Sequence, residues 1–321
     1  MRKINTFSRR TFLIASGALT ATVPLASLTT LAKAQNSDIP TLGLALGSGG
    51  ASGLAHIPML EVLDELDIVP KVIAGSSIGA IIGALYASGL SGADLRRLAS
   101  DFAPEDKHFM RNLIQGSAGL SLMDLIRLDL DDGGLLDSDG FLDFLETKLD
   151  GSTFEDLPIP LKLVAADFWK REQVILDKGP LIPAIKASMA VPGLFAPVPL
   201  DGHLLVDGGT VNPLPFDLID ADCDLTVAVD VSGGKAGQEE EKPDVLDALF
   251  NTFEIMQQAI TREKMKHITP GILVQPETSG IRLLHFYKAG EIFSQSASAA
   301  EELKSALREH LRNNSGNNRS S

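Results

Sequence analysis

The chain has 321 residues and sets 28 Lys and Arg against 42 Asp and Glu, a formal net charge of −14. At 44% hydrophobic, 22% charged and 5% aromatic, it lies outside the disordered, collagen-like and polytopic membrane classes. Its one cysteine, Cys223, excludes an intramolecular disulfide and the zinc-finger and iron–sulfur frameworks.

Residues 1–34 hold Arg2, Lys3, Arg9, Arg10 and Lys33 and no acid. The Arg9-Arg10 pair precedes an apolar, small-residue run from Phe12 to Leu31, which ends in Ala32-Lys33-Ala34. That pattern reads as a twin-arginine export signal cleaved after Ala34, with a periplasmic destination. An uncleaved segment anchoring the protein to a membrane is the alternative. The body that follows carries 23 basic and 42 acidic residues, a net of −19. It has no basic stripe or basic–aromatic run, so nucleic acid is excluded as a partner. Anionic membranes are also unfavourable partners unless charge is segregated on the fold.

Thr41–Leu46 and Lys71–Ala74 are short apolar runs that predict buried strands. Helical spacing covers Ser52–Glu65, and an apolar helix covers Ile78–Ala87 and closes at Gly89. Residues 101–136 lack clean periodicity; they suit either a flap over a site or a helical insertion packed on the core. Leu161–Ala166, Gln173–Leu176, Leu204–Val206 and Leu225–Val231 predict further strands. Gly233–Lys242 reads as a solvated loop, and Asp244–His267 and Ala297–Leu311 as helices flanking a strand at Ile272–Gln275. The expected organisation is a single α/β domain over 35–312, with a mostly parallel sheet covered on both faces and a polar tail at 313–321.

Three segments carry chemistry. Gly47-Ser48-Gly49-Gly50-Ala51-Ser52-Gly53 lies between a strand and a helix, where converging backbone N–H groups suit a pyrophosphate or an oxyanion. A dinucleotide site needs an acid at the end of the next strand. Here that strand ends in Ala74-Gly75-Ser76-Ser77, which favours the oxyanion. Gly75-Ser76-Ser77-Ile78-Gly79 is a G-x-S-x-G at a strand-to-helix junction, the setting of a nucleophile elbow. Its spacing selects Ser77 over Ser76, although a glycine turn without chemistry has the same pattern. Leu204-Leu205-Val206-Asp207-Gly208-Gly209 puts a carboxylate at the end of an apolar strand, where it suits either a base or a simple turn.

A serine nucleophile needs a base. None of His56, His108, His203, His267, His285 and His310 follows a strand in the late loop that a Ser–His–Asp triad requires. Asp207 is therefore the candidate base, with Asp167 as the runner-up acid and His56 and His203 as alternatives for modulating roles.

These motifs, in this order, resemble the patatin-like phospholipase family. Pro160–Asp167 resembles its central strand, Ala187–Phe195 the segment before its aspartate and Val211–Pro215 the segment after it. The resemblance covers about residues 41–231. It implies a three-layer α/β/α fold and a Ser–Asp dyad of Ser77 and Asp207, with an oxyanion hole from the amides of Gly49, Gly50 and Ala51. Gly75, Gly79, Gly208 and Gly209 fill the family's glycine positions. Many members carry Arg or Lys where this chain has Ser52. That departure and the acidic body favour neutral or zwitterionic lipids or small esters. The implied activity is acyl-ester hydrolysis through an acyl-enzyme without metal or organic cofactor, on a lipid or ester substrate met by transient membrane or micelle contact. A Ser–His–Asp esterase and a lipid-binding protein with little turnover stay open as alternatives.

Overall fold

A computed structural model describes residues 41–102, 127–128, 136–137, 139–149, 152–232 and 245–317. The expected export segment, most of 101–136 and the expected loop at 233–242 lie outside the described residues. In chain order come β1 (Leu42–Leu46), a 3₁₀ turn (Gly50–Ala55), α1 (His56–Glu65), β2 (Val72–Ser76), α2 (Ile78–Ala87) and α3 (Gly92–Phe102). The two-residue strands β3 (Arg127–Leu128) and β4 (Leu136–Asp137) precede α4 (Asp139–Leu149), β5 (Leu161–Asp167) and β6 (Glu172–Leu176). Then follow α5 (Leu181–Ser188), β7 (Val198–Leu200), β8 (His203–Asp207), β9 (Leu225–Val229) and α6 (Val245–Lys264). The chain closes with β10 (Ile272–Val274), α7 (Ala289–Gln295) and α8 (Ala297–Asn317).

The main sheet follows the path β10-β9-β1-β2-β5-β8-β7, with β6 also paired to β5. β10, β9, β1, β2 and β5 are mutually parallel, whereas β6 and β8 are antiparallel to β5. Side chains alternate across the sheet, as strand geometry requires. Leu44, Leu46, Ile73, Val227 and Val229 enter the larger core with α1, α2, α3 and α8. Ala45, Val72, Ala74 and Ala228 meet Leu214, Phe216 and Ile219 on the other face. Strands buried on both sides read as continuous apolar runs, and the result is an α/β three-layer fold.

Several element boundaries differ from the sequence expectation, by most at α1 and α8. The helix expected over Ser52–Glu65 is split, because Gly50–Ala55 winds more tightly and presses Gly53 against Ile78, where a Cβ would collide. At the other end, α8 continues to Asn317, past Asn313, where the polar tail was expected to begin.

Candidate active site

The site is assembled where strands end. β2 ends at Ser76, and Ser77 takes φ 56° and ψ −121° before α2 starts at Ile78. A non-glycine residue in that region stores strain and needs support. The Ser77 N–H donates to Ser188 Oγ at 3.1 Å, and Ser188 Oγ donates to the Val164 carbonyl at 2.6 Å. The flanking glycines let strand and helix cross closely. A Cβ on Gly75 would lie 2.5 Å from Gly79 O, and one on Gly79 would strike Leu46 O. Ser76 is sealed in the core with its hydroxyl unpartnered, whereas Ser77 lines a cavity.

Asp207 reaches the same place from β8. β6 occupies one flank of β5 from Leu163 to Asp167, so β2 and β8 must share the other flank. β2 pairs up to Ser76↔Val164, and β8 takes over at Asp207↔Ala165. The two strands therefore meet end to end. Gly208 makes the approach feasible, since a Cβ there would sit 2.8 Å from Ser76 Oγ. The Asp207 carboxyl is fully buried; Oδ1 accepts the Gly209 N–H at 2.7 Å, and Oδ2 has no hydrogen-bond partner. Burial pushes its pKa up to about 7, against the lowering influence of the Ser77 hydroxyl and the Gly209 N–H. The Ser77 hydroxyl is thus near enough to influence the carboxyl, whose Oδ2 is left as an open acceptor.

The glycine-rich loop follows β1. Gly47 N–H donates to Val229 O at 3.0 Å and Ser48 N–H to Pro213 O at 2.8 Å, which pins its start. The sequence expectation of three free amides needs correcting at Ala51. Its N–H donates to Leu283 O at 2.8 Å and is already engaged. Among the described residues the amides of Gly49 and Gly50 have no acceptor, so two of the three are free to hold an oxyanion. His56 buttresses the loop, with Nε2 2.9 Å from Gly47 O. Burial drops its pKa to about 4, so the ring is neutral and donates to that carbonyl.

Gln257, on α6, was not singled out by the sequence. Its Nε2 donates to Ser48 Oγ at 2.9 Å, and a Cβ on Gly209 would collide with the same nitrogen. One buried amide therefore clamps the glycine loop against the Asp-Gly-Gly turn. Its Oε1 has no partner.

Ser77, Gly49, Gly50 and Gln257 line one cavity of about 150 Å³, continued by apolar side chains including Ile81, Leu85, Leu98, Phe141, Phe144 and Leu194. Among the described residues the one ionisable side chain in that lining is Glu254, one turn before Gln257; desolvation raises its pKa to about 7. A narrow apolar space with a few polar groups near the serine suits an alkyl chain attached to a polar reacting centre.

The remaining sequence candidates lie elsewhere. Asp167 Oδ2 binds His203 Nδ1 at 2.6 Å, and its Oδ1 accepts the N–H groups of Trp169 and Lys170. It orders the β5–β6 hairpin and does not line the cavity. His267 is exposed beside Glu263, and the His285 ring packs against Tyr287. His108 lies outside the described residues. Among the described residues no histidine hydrogen-bonds to Ser77 or Asp207, and no group of three or more His, Cys, Asp or Glu side chains is arranged to hold a metal.

Residues 44–220 match the family described as patatin-like phospholipase. An uncharacterised NTE family protein of Mycobacterium tuberculosis is 38% identical over 221 residues, covering 68% of this chain and 57% of the relative. Patatin-like phospholipase domain-containing protein 7 of Rattus norvegicus is 30% identical over 193 residues, covering 59% of this chain and 13% of that protein. The chain thus spans little more than half of the mycobacterial relative and a small part of the rat one. Among solved structures, VipD from Legionella pneumophila aligns at 14% identity with a TM-score of 0.44, covering 82% of this chain and 66% of that one.

Proposed function

The chain belongs to the patatin-like phospholipase family, and on that premise we propose that it is a lipid acyl hydrolase working through Ser77 and Asp207. In this reading Ser77 Oγ attacks the ester carbonyl and its proton passes to the Asp207 carboxylate. The N–H groups of Gly49 and Gly50 hold the oxyanion, and the N-terminal end of α2 adds favourable potential. The tetrahedral intermediate collapses, the alcohol leaves with the proton, and water attacks the acyl-serine by the same route in reverse. The acyl chain occupies the apolar cavity.

The observation that supports the reading is the buried Asp207 carboxyl, its Oδ2 unpartnered and its pKa influenced by the hydroxyl of Ser77, the serine that lines the cavity. A carboxyl with a pKa of about 7 is matched to proton transfer near neutrality. The test is hydrolysis of acyl esters together with labelling by a fluorophosphonate probe. Ser77→Ala loses the label and the turnover, and Asp207→Asn loses turnover by at least about 10²-fold while remaining folded. Unchanged labelling of Ser77→Ala, or full turnover by Asp207→Asn, removes the dyad. Export of the chain is part of the same proposal, supported by Arg9-Arg10 and Ala32-Lys33-Ala34. It is tested by N-terminal sequencing of the periplasmic protein, which should begin at Gln35.

A further inference from the structure

Trp169, the chain's one tryptophan, is 74% exposed, and its neighbour Phe168 is 45% exposed. The two rings meet edge to face at 4.9 Å on the turn that joins β5 to β6, and Lys170 and Arg171 follow. The turn is firmly built. Asp167 Oδ1 accepts the Trp169 N–H at 3.0 Å and the Lys170 N–H at 2.8 Å, while Oδ2 is held by His203. Phe168 N–H donates to Leu204 O, Arg171 N–H donates to Asp167 O, and Arg171 sits at φ 60° to close the turn. An ordered turn that holds two large rings in water is unexpected unless something covers them.

Position and charge narrow what that is. β5 runs parallel to β1 and β2, so its end projects from the edge that carries the glycine loop and Ser77. Phe168 is four residues past Val164, the partner of Ser76, or about 13 Å further along the strand direction. Lys170 Nζ stands 3.9 Å from Asp167 and 3.8 Å from Glu172, and Arg171 has no ion pair among the described residues. Lys170 is thus shared with two acids, and Arg171 is the unpaired cation of the turn, set beside two aromatics in a chain of net charge −14.

We propose that Phe168–Arg171 is a docking tip for a phospholipid bilayer surface containing anionic lipid. The rings of Phe168 and Trp169 enter the headgroup–acyl boundary, where an indole is favoured, and Lys170 and Arg171 face lipid phosphates. Among the described residues no helix is long and apolar enough to cross a membrane. Docking by this tip brings the sheet edge that bears the cavity to the lipid. The inference does not depend on the chemistry assigned to Ser77.

The single tryptophan is its own reporter. Purified Ser77→Ala protein, which leaves lipid intact, is mixed with phosphatidylcholine–phosphatidylglycerol vesicles. Trp169 emission should shift to the blue, lose its quenching by acrylamide and gain quenching by brominated acyl chains. Emission unmoved by vesicles overturns the proposal, whether the protein stays free or sediments with lipid through another surface. A protein partner for the tip then becomes the surviving explanation. With Trp169 retained, Phe168→Ser and the pair Lys170→Glu, Arg171→Glu should each weaken vesicle partition roughly tenfold. Neither change should alter hydrolysis of a water-soluble nitrophenyl ester by the protein with Ser77 intact. Partition equal to the parent's sinks the proposal. If no ester is cleaved by any form, the hydrolase reading fails, whereas the fluorescence result stands by itself.

Discussion

Ser188 Oγ accepts the Ser77 N–H at 3.1 Å, so the strained bend at Ser77 is held by a hydroxyl on another helix. Ser188→Ala leaves that buried N–H without an acceptor, which costs about 1–3 kcal/mol. The bend relaxes and displaces Ser77 Oγ, so kcat should fall more than KM rises. Denaturant titration paired with steady-state kinetics checks both, and a variant as stable and as fast as the parent contradicts this support role.

A buried carboxyl, Asp207, and a half-buried one, Glu254, set opposite pH responses in stability and rate. Burial raises Asp207 from 3.8 to about 7 and Glu254 from 4.5 to about 7, so the folded state holds protons that the unfolded chain has released. Their stabilising contribution is full below pH ~4 and is lost as pH rises toward ~7. In the proposed mechanism turnover needs ionised Asp207, so kcat/KM should climb across the end of that window and level off above it. Asp207→Asn should be more stable than the parent at pH 8, by up to a few kcal/mol, and similar near pH 4. Thermal unfolding at the two pH values is the measurement.

Glu254→Gln separates the two carboxyls. It should keep the pH–rate limb, since Asp207 is untouched. Without a negative charge in the cavity, a fatty-acid anion should bind more tightly, seen as a lower inhibition constant above pH 7. Loss of the pH–rate limb in this variant would transfer the base role away from Asp207.

Gln257→Met fills the space of the amide and removes its bond to Ser48. The glycine loop then loses its clamp to the Asp-Gly-Gly turn, and misalignment of the oxyanion donors should reduce kcat roughly ten- to a hundredfold. The KM for a soluble ester should change little, because the apolar cavity is preserved.

Gly79→Ala and Gly89→Ala contrast crowding with backbone conformation. At Gly79 the new methyl would strike Leu46 O, and separating α2 from β1 should cost about 3 kcal/mol or more. At Gly89 there is nothing within 4 Å, so only its φ of 105° matters, at about 1–2 kcal/mol. Chemical denaturation of both variants gives the ranking.

Most strands of the main sheet were legible because buried runs such as Leu42–Leu46 and Leu225–Val229 are apolar on both faces, whereas the three-residue β7 was not; α2 was legible because it is apolar all round. Ser77 and Asp207 could be singled out because glycines in fixed positions imply close approach. Strand direction is invisible to hydrophobic pattern, so the antiparallel entry of β8 was not foreseen. Gln257, Glu254 and Ser188 are ordinary in their own helices and acquire meaning only by packing. The engagement of Ala51 by Leu283 is likewise a tertiary fact, since local spacing presents three equivalent amides. Two local signals were missed. Ser91 and Asp94 form a reciprocal capping box at the start of α3. Pro183 in the first turn of α5 concealed a short helix that tolerates it.

The end-to-end meeting of β2 and β8 along one flank of β5 makes the spacing between serine and aspartate a matter of whole residues. Lengthening either strand by one position obliges the other to retreat by one, so small adjustments of this distance are not available to a lineage that inserts or deletes there. The shape of the cavity is therefore free to change only through the helices that wall it, while the strand register holds the junction fixed.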